Sequence, residues 1–162
     1  MEKAPNELFV TTVIGNWELA LKRISVQFDR HPDADLSRPI ASGRNRVIYL
    51  LGHLVAVHDN MIPLLGLGDR HYPMLDALFI HNPDDASATY PPAGELRQHW
   101  TAVNAFLTAR FREWKPEEWL HRHTAVSAED FAKEPHRNRL NVVLNRTGHV
   151  SYHSGQLALV NT

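Results

Sequence analysis

The chain of 162 residues carries 17 basic and 18 acidic side chains, and its formal net charge of -1 provides no long-range field to attract nucleic acid or an anionic membrane. It contains no cysteine, which excludes disulfides and thiolate metal ligands. We expect residues 1–162 to form one domain. We also expect a cytoplasmic protein that binds neither nucleic acid nor membrane, because no signal peptide and no apolar run of about 20 residues is recognisable.

Amphipathic periodicity predicts four long helices in chain order. The first covers about residues 7–28, in which apolar side chains recur at the i, i+3, i+4 spacing of a buried stripe. The second covers about residues 44–65, with Ser42 as its expected N-cap and Pro63 expected to end or kink it. The remaining predicted helices are a short one at about residues 74–80 and long ones at about residues 93–114 and 137–160.

Together these elements predict an all-α protein, a four-helix bundle with long connections between its helices. No segment shows the apolar/polar alternation of a strand. Metal and cofactor sites of such bundles lie between facing helices. Side chains that bind metal ions are therefore of most interest where they lie on these helices.

The most suggestive pair of side chains is His149 and His153, which lie on one face of the last predicted helix. Random placement of 11 histidines would give about 0.7 pairs at this spacing, so the spacing alone is weak evidence. Arg146 is the one charged residue between positions 140 and 160, and we expect this helix to be buried on both sides. Buried imidazoles need partners, and either a shared metal ion or ordinary hydrogen bonds would supply them. Val150 occupies the glutamate position of H-E-x-x-H zinc proteases, which excludes that motif.

The second predicted helix supplies His53 and His58, either of which could face the bundle interior and provide a third ligand. Three polar residues are further candidates. Asp59 and Gln156 could orient a ligating histidine, and Asn145 could line the same cavity.

The runs GHLVAVHDN and GHVSYHSGQLAL resemble the DinB/YfiT-like superfamily of small four-helix proteins, and the resemblance extends over essentially the whole chain. It implies a homodimer in which each bundle binds one divalent metal ion, zinc or nickel, through three histidines. Carried over position by position, these ligands are His53, His149 and His153. His58 has a weaker claim, as a substitute for His53 or as a supporting contact.

The resemblance also implies a function, because characterised relatives include transferases that use low-molecular-weight thiols such as bacillithiol or mycothiol. Many other members are described as metal-dependent hydrolases. We therefore expect a metal-dependent S-transferase or hydrolase that acts on a small electrophile. The chain has no cysteine, so any thiol must be a cosubstrate. The catalytic residues stay unassigned, and two alternatives stay open: a non-catalytic metal-stabilised bundle or small-molecule-binding module, and a dimeric scaffold whose histidines bind one another.

Overall fold

The computed structural model describes residues 5–160, which are folded almost entirely as helices and connecting turns. The α-helices in chain order are α1 (Pro5–Asp29), α2 (Val47–Asp59), α3 (Met61–Leu64), α4 (Asp76–Phe79), α5 (Ala93–Glu113), α6 (Ala128–Lys133) and α7 (Arg139–Leu157). Short 3-10 turns cover Asp33–Ser37, Pro73–Leu75 and Pro116–Leu120. Between residues 5 and 160 the backbone forms no strand, only isolated bridges from Pro39 to Arg46 and from Arg122 to Asn138.

The four long helices α1, α2, α5 and α7 are those that the periodicity predicts, so the prediction of an all-α protein is confirmed. Helix α1 packs along α7, α2 packs along α5, and α2 also contacts α7. The predicted short helix near residue 74 is present as the turn Pro73–Leu75 followed by α4. Most helix ends differ from the predicted ones by one to three residues, which is within the uncertainty of helix boundaries.

Helix α2 is shorter than predicted at both ends. Ser42 is not its N-cap, because the helix begins only after Arg46, whose backbone N–H and guanidinium both bind the carboxylate of Asp84. At the other end the helix is interrupted at Asn60. Pro63 has no N–H with which to bond the carbonyl four residues earlier, so the chain continues only as the short helix α3.

Helix α2 lies in the centre of the bundle and is buried around nearly its whole circumference. The segment Val47–Leu64 is long and apolar enough to span a membrane by length and composition, yet 72% of it is buried inside the protein. That degree of burial is typical of a core helix. The core around it consists of two adjoining apolar clusters, whose members come from all four long helices.

Two tryptophans join α1 to α5 through their indole N–H groups. Trp17 donates to Thr108 Oγ1 at 2.9 Å, and Trp100 donates to Ser25 Oγ at 2.9 Å. Trp119, in the turn after α5, is fully buried as a packing residue. Buried indole N–H groups usually require a partner, and Trp17 and Trp100 have one, whereas Trp119 Nε1 has none among the described residues.

The expectation that α7 is buried on both sides is wrong. Leu144 and Tyr152 are exposed, with relative accessibilities of 49% and 63%, and only one face of α7 packs against α1 and α2. Uncharged residues occupy the exposed positions of this helix, among them Asn145, Gly148 and Ser151. Thr147 and Ser151 donate their hydroxyls to backbone carbonyls four residues earlier, so they need no buried partner.

Gly52 is required where α2 meets α4. A Cβ at this position would lie 2.4 Å from the ring of Phe79, which is fully buried and has no room to swing aside. We expect Gly52→Ala to lower the free energy of unfolding by about 1–3 kcal/mol, measured by urea denaturation. Gly15→Ala is the matched control, since nothing lies within 4 Å of its added methyl group. Alanine should raise helix stability there by about 0.5–1 kcal/mol, and equal effects at the two glycines would contradict this account.

Candidate metal centre

Three histidines meet where α2 faces α7. His53 Nε2 lies 3.4 Å from His149 Nε2, which lies 3.0 Å from His153 Nε2. The ligand atoms of all three lie within 4.8 Å of one another. In a tetrahedral complex with metal–nitrogen bonds of about 2.0–2.1 Å, two nitrogen ligands are about 3.3 Å apart. The spacing of these nitrogens therefore fits one divalent ion, and the structure brings together the three histidines named from the sequence.

A backbone carbonyl orients the His53 ring. Its Nδ1–H donates to the carbonyl oxygen of Phe79 at 2.8 Å, and Gly52 allows that residue to approach α2 closely. Because a carbonyl oxygen only accepts hydrogen bonds, the neutral His53 ring carries its proton on Nδ1. The lone pair at Nε2 then points towards α7.

Gln156 orients the His153 ring as the Phe79 carbonyl orients His53, through a hydrogen bond at Nδ1. His153 Nδ1–H donates to Gln156 Oε1 at 2.7 Å, and the amide nitrogen of Gln156 donates to the hydroxyl of Tyr152 at 3.1 Å. The predicted contact between Gln156 and a histidine of the site is thus present. It places the His153 lone pair at Nε2, as a metal-ligating imidazole requires.

His149 differs from the other two histidines because no described residue orients it. Its Nδ1 is buried without a hydrogen-bond partner, and its Nε2 faces the Nε2 atoms of His53 and His153. If those two rings are protonated on Nδ1, the three facing nitrogens have at most one proton among them, from His149. A single N–H from His149 can bond either His53 Nε2 or His153 Nε2 and leaves the other lone pair without a partner. A divalent ion would bind all three Nε2 atoms.

The histidines of the cluster favour the neutral form that binds metal ions. Burial lowers the pKa of His149, and together with the neighbouring His153, His53 and Arg146, in that order of effect, it brings this pKa to about 4. Burial also lowers the pKa of His53 and of His153 below the ordinary value for histidine. At pH 7 these rings are therefore neutral, and little proton release is needed to bind a cation.

His58 lies outside the three-histidine cluster and does not replace His53. Its Nδ1 is 2.6 Å from Asn104 Oδ1, and its ring centroid lies 5.0 Å from those of both Trp17 and Trp100. Burial lowers the pKa of His58 to about 3, so this fully buried ring is neutral. The sequence analysis missed Asn104, although an asparagine between Trp100 and Leu107 on an apolar stripe was a usable signal for a buried polar partner.

Asp59 does not orient a histidine of the cluster. Its carboxylate accepts hydrogen bonds from Arg70 Nε at 3.0 Å and from the backbone N–H groups of His71 and Tyr72 at 2.8 and 3.0 Å. These bonds use both oxygens of a fully buried group. Asp59 therefore anchors the long connection between α3 and α5, because Arg70 in turn pairs with Asp76 at the start of α4.

A cavity of about 550 Å³ opens beside the cluster. Asn145 lines it, as the sequence analysis anticipated, and so does Arg146, which that analysis noted only as a charge. The full lining consists of Leu64, Val142, Asn145, Arg146, Gly148, His149 and Tyr152. A larger cavity of about 680 Å³ lies around Phe131 and Arg139 but contains none of the three clustered histidines. Because ligand chemistry needs reactive groups as well as volume, we assign the functional pocket to the smaller cavity.

Comparison with known proteins agrees with the fold. The family model described as the DinB superfamily matches residues 16–157. No curated protein matches the chain. The crystal structure of a conserved protein from Enterococcus faecalis is similar, with a TM-score of 0.66 and 17% identity over 93% of this chain and 95% of that one. That likeness shows the fold alone. The family match covers the second half of α1, all of α2, α5 and α7, and the three clustered histidines, and the chain therefore belongs to the DinB superfamily.

Proposed function

We propose that this protein is a metal-dependent enzyme in which His53, His149 and His153 hold one divalent ion, zinc or nickel. We further propose that it transfers a low-molecular-weight thiol to a small electrophile or hydrolyses a small molecule. The observation that carries the proposal is the convergence of three imidazole nitrogens, one of which belongs to His149 in the wall of an open cavity.

The ligand set supports this assignment chemically. Neutral imidazoles suit zinc and nickel better than magnesium or calcium, which prefer oxygen ligands. A divalent ion bound by three uncharged ligands keeps its double positive charge and would lower the pKa of a coordinated thiol or water. The chain itself has no thiol to offer, so a thiol reaction would need a thiol cosubstrate.

The residues of the chain orient two of the imidazole rings and give the cavity a partly apolar wall. The carbonyl of Phe79 and the amide of Gln156 hold two rings with their lone pairs directed at a common point. On the cavity side, Leu64 and Val142 form an apolar wall next to His149. A small molecule in this cavity would meet the cluster at His149, the one ring that the protein leaves without an orienting partner.

A homodimer in the cytoplasm is part of the proposal. The support is the distribution of exposed large apolar side chains, which are concentrated on α1 and α7, two helices that pack against each other. Apolar surface of this kind is typical of protein–protein contacts. The side chains concerned are Leu8, Phe9, Leu19, Val26, Leu144 and Tyr152.

One observation favours the alternative of a non-catalytic, metal-stabilised binding module. Among the described residues that line the cavity beside His149 there is no aspartate or glutamate that could act as a general base. In that case the metal ion would stabilise the contact between α2 and α7 without promoting a reaction. The two functions differ in whether a bound thiol becomes reactive.

The metal site is tested by removing one ligand. Protein purified without a histidine tag should contain about one divalent ion per chain, and His149→Ala should lose it because two imidazoles bind far more weakly than three. Metal content is measured by inductively coupled plasma mass spectrometry. His136→Ala is the matched control, since this exposed histidine lies outside the cluster and its removal should leave the metal content unchanged. Metal-free wild-type protein of normal stability would refute the proposal.

Catalysis is tested separately with the metal-loaded protein. It should accelerate conjugation of a small thiol to a chloronitrobenzene, and the acceleration should disappear in His149→Ala, because acidification of the thiol depends on the ion. The reaction is followed by absorbance. If chelation lowers the melting temperature while no small thiol or ester reacts faster with protein present, the binding-module alternative is the correct one.

Gln156 is predicted to act through His153. Gln156→Leu removes the acceptor for His153 Nδ1–H, so we expect metal affinity to fall by about 10–100-fold in a competition titration with a chelator. Gln156→Glu keeps an acceptor at this position and should restore the affinity. Gln27→Leu is the control. Gln27, on α1, accepts a hydrogen bond from Ser154 on α7, the helix of Gln156, but it bonds none of the clustered histidines. Wild-type affinity in Gln156→Leu would exclude the orienting role.

A further inference from the structure

We propose that Arg146 binds a carboxylate of the small molecule that occupies the cavity beside His149, so that the site selects anionic substrates. This inference rests on the proposed function and narrows it, because it defines a chemical group that the substrate or thiol cosubstrate carries. The observations behind it are that Arg146 lines the cavity and that its guanidinium has no hydrogen-bond acceptor or counter-ion among the described residues.

Arg146 is partly buried and has no partner among residues 5–160. Its Nε is buried without a hydrogen-bond acceptor, and its guanidinium forms no hydrogen bond or ion pair with any residue that the structure describes. Arginine nevertheless stays protonated in proteins, so a full positive charge sits at the cavity. Burial lowers the pKa of Arg146, in keeping with a cation that has lost part of its hydration without gaining a counter-ion.

The other partly buried arginines of this protein show what is missing. Arg46 pairs with Asp84, Arg70 with Asp59 and Asp76, and Arg97 with Asp29 and Asp33. The Nε of Arg139, on the same helix as Arg146, also has no acceptor, but the Arg139 guanidinium lies over the ring of Trp114 at 4.8 Å. Arg146 has neither a carboxylate nor an aromatic face, although placing a cation in a partly dry environment without compensation is unfavourable.

Arg146 and His149 line the same cavity, so the guanidinium charge lies beside the three-histidine cluster. A divalent ion at the cluster would add a second positive charge to the same cavity, whose lining contains no acidic side chain. An anionic ligand would neutralise this excess charge, and none of the described lining residues carries a negative charge that could do so.

The spacing along α7 indicates how the ligand would lie. Arg146 precedes His149 by three residues, so the two side chains are neighbours on one face of the helix, about one turn apart. The guanidinium matches a planar carboxylate with two parallel hydrogen bonds. Phosphate sites usually add free backbone N–H groups at a helix N-terminus, but Arg146 and His149 lie in the middle of α7. The geometry therefore favours a carboxylate.

The test compares two small thiols that differ in one charge. Metal-loaded protein is titrated calorimetrically with 3-mercaptopropionate and with the neutral 3-mercaptopropionamide. We expect the wild type to bind the carboxylate at least about tenfold more tightly, which is the effect of one charged hydrogen-bonded pair. Arg146→Gln should bind both thiols with equal affinity. Inorganic phosphate should compete with 3-mercaptopropionate only weakly, and strong competition would overturn the choice of carboxylate.

Arg139→Gln is the matched control, because this arginine is on the same helix but lines the other cavity. It should keep the full preference for the carboxylate. If Arg146→Gln still prefers 3-mercaptopropionate, the metal ion itself binds the carboxylate, and the role of Arg146 is overturned. Equal affinities in the wild type would overturn this inference alone, whereas failure of both thiols to bind would overturn the proposed function with it.

Stability provides a second measurement. Arg146→Gln should retain the wild-type metal content and unfold at the same or a higher urea concentration, because it removes a partly buried charge that has no partner among the described residues. A clear loss of stability would show that Arg146 supports the fold, and that result would overturn the inference. The same measurement on Arg139→Gln should show a loss, since that side chain packs on Trp114.

Discussion

Helix α2 is enclosed by the bundle, and this constraint determines most of the polar structure around the site. A buried polar side chain needs a partner inside the protein, since leaving it unpaired costs about 1–3 kcal/mol. His53 therefore bonds the carbonyl of Phe79, His58 bonds Asn104, and Asp59 binds the connection that follows α3. The same bonds hold the long connection and α4 against α2. The orientation of His53 thus follows from the need of its buried Nδ1–H for a hydrogen-bond acceptor.

The three clustered histidines divide into two roles. His53 and His153 are held by hydrogen bonds to a carbonyl and an amide, so their lone pairs are directed before any ligand arrives. His149 is not held in this way and borders the cavity that Arg146 also lines. The cluster is therefore rigid on its buried side and adaptable on its open side. This asymmetry suits a site where an ion must be retained while a small molecule enters and leaves, because only the open side has to adjust.

The helices and the fold class were predictable from local patterns, and the exceptions have local causes. Apolar spacing located the four long helices because burial of one helix face requires that periodicity. The start of α2 was missed because it depends on Asp84, which is 38 residues away from Arg46. The burial of α7 was overestimated because few charges were taken to mean an interior position. Uncharged residues such as Asn145, Gly148 and Ser151 occupy exposed positions of this helix instead.

For the site, the sequence by itself determined the absence of thiolate ligands and the common face of His149 and His153, because spacing along a helix sets the angle between side chains. The resemblance to a family added His53. Only the tertiary structure decided that His53 meets this pair while His58 turns towards Asn104. It also decided that Arg146 reaches the cavity without a counter-ion. These outcomes depend on how α2, α5 and α7 pack, and contacts between distant segments are not encoded in the periodicity of any single helix.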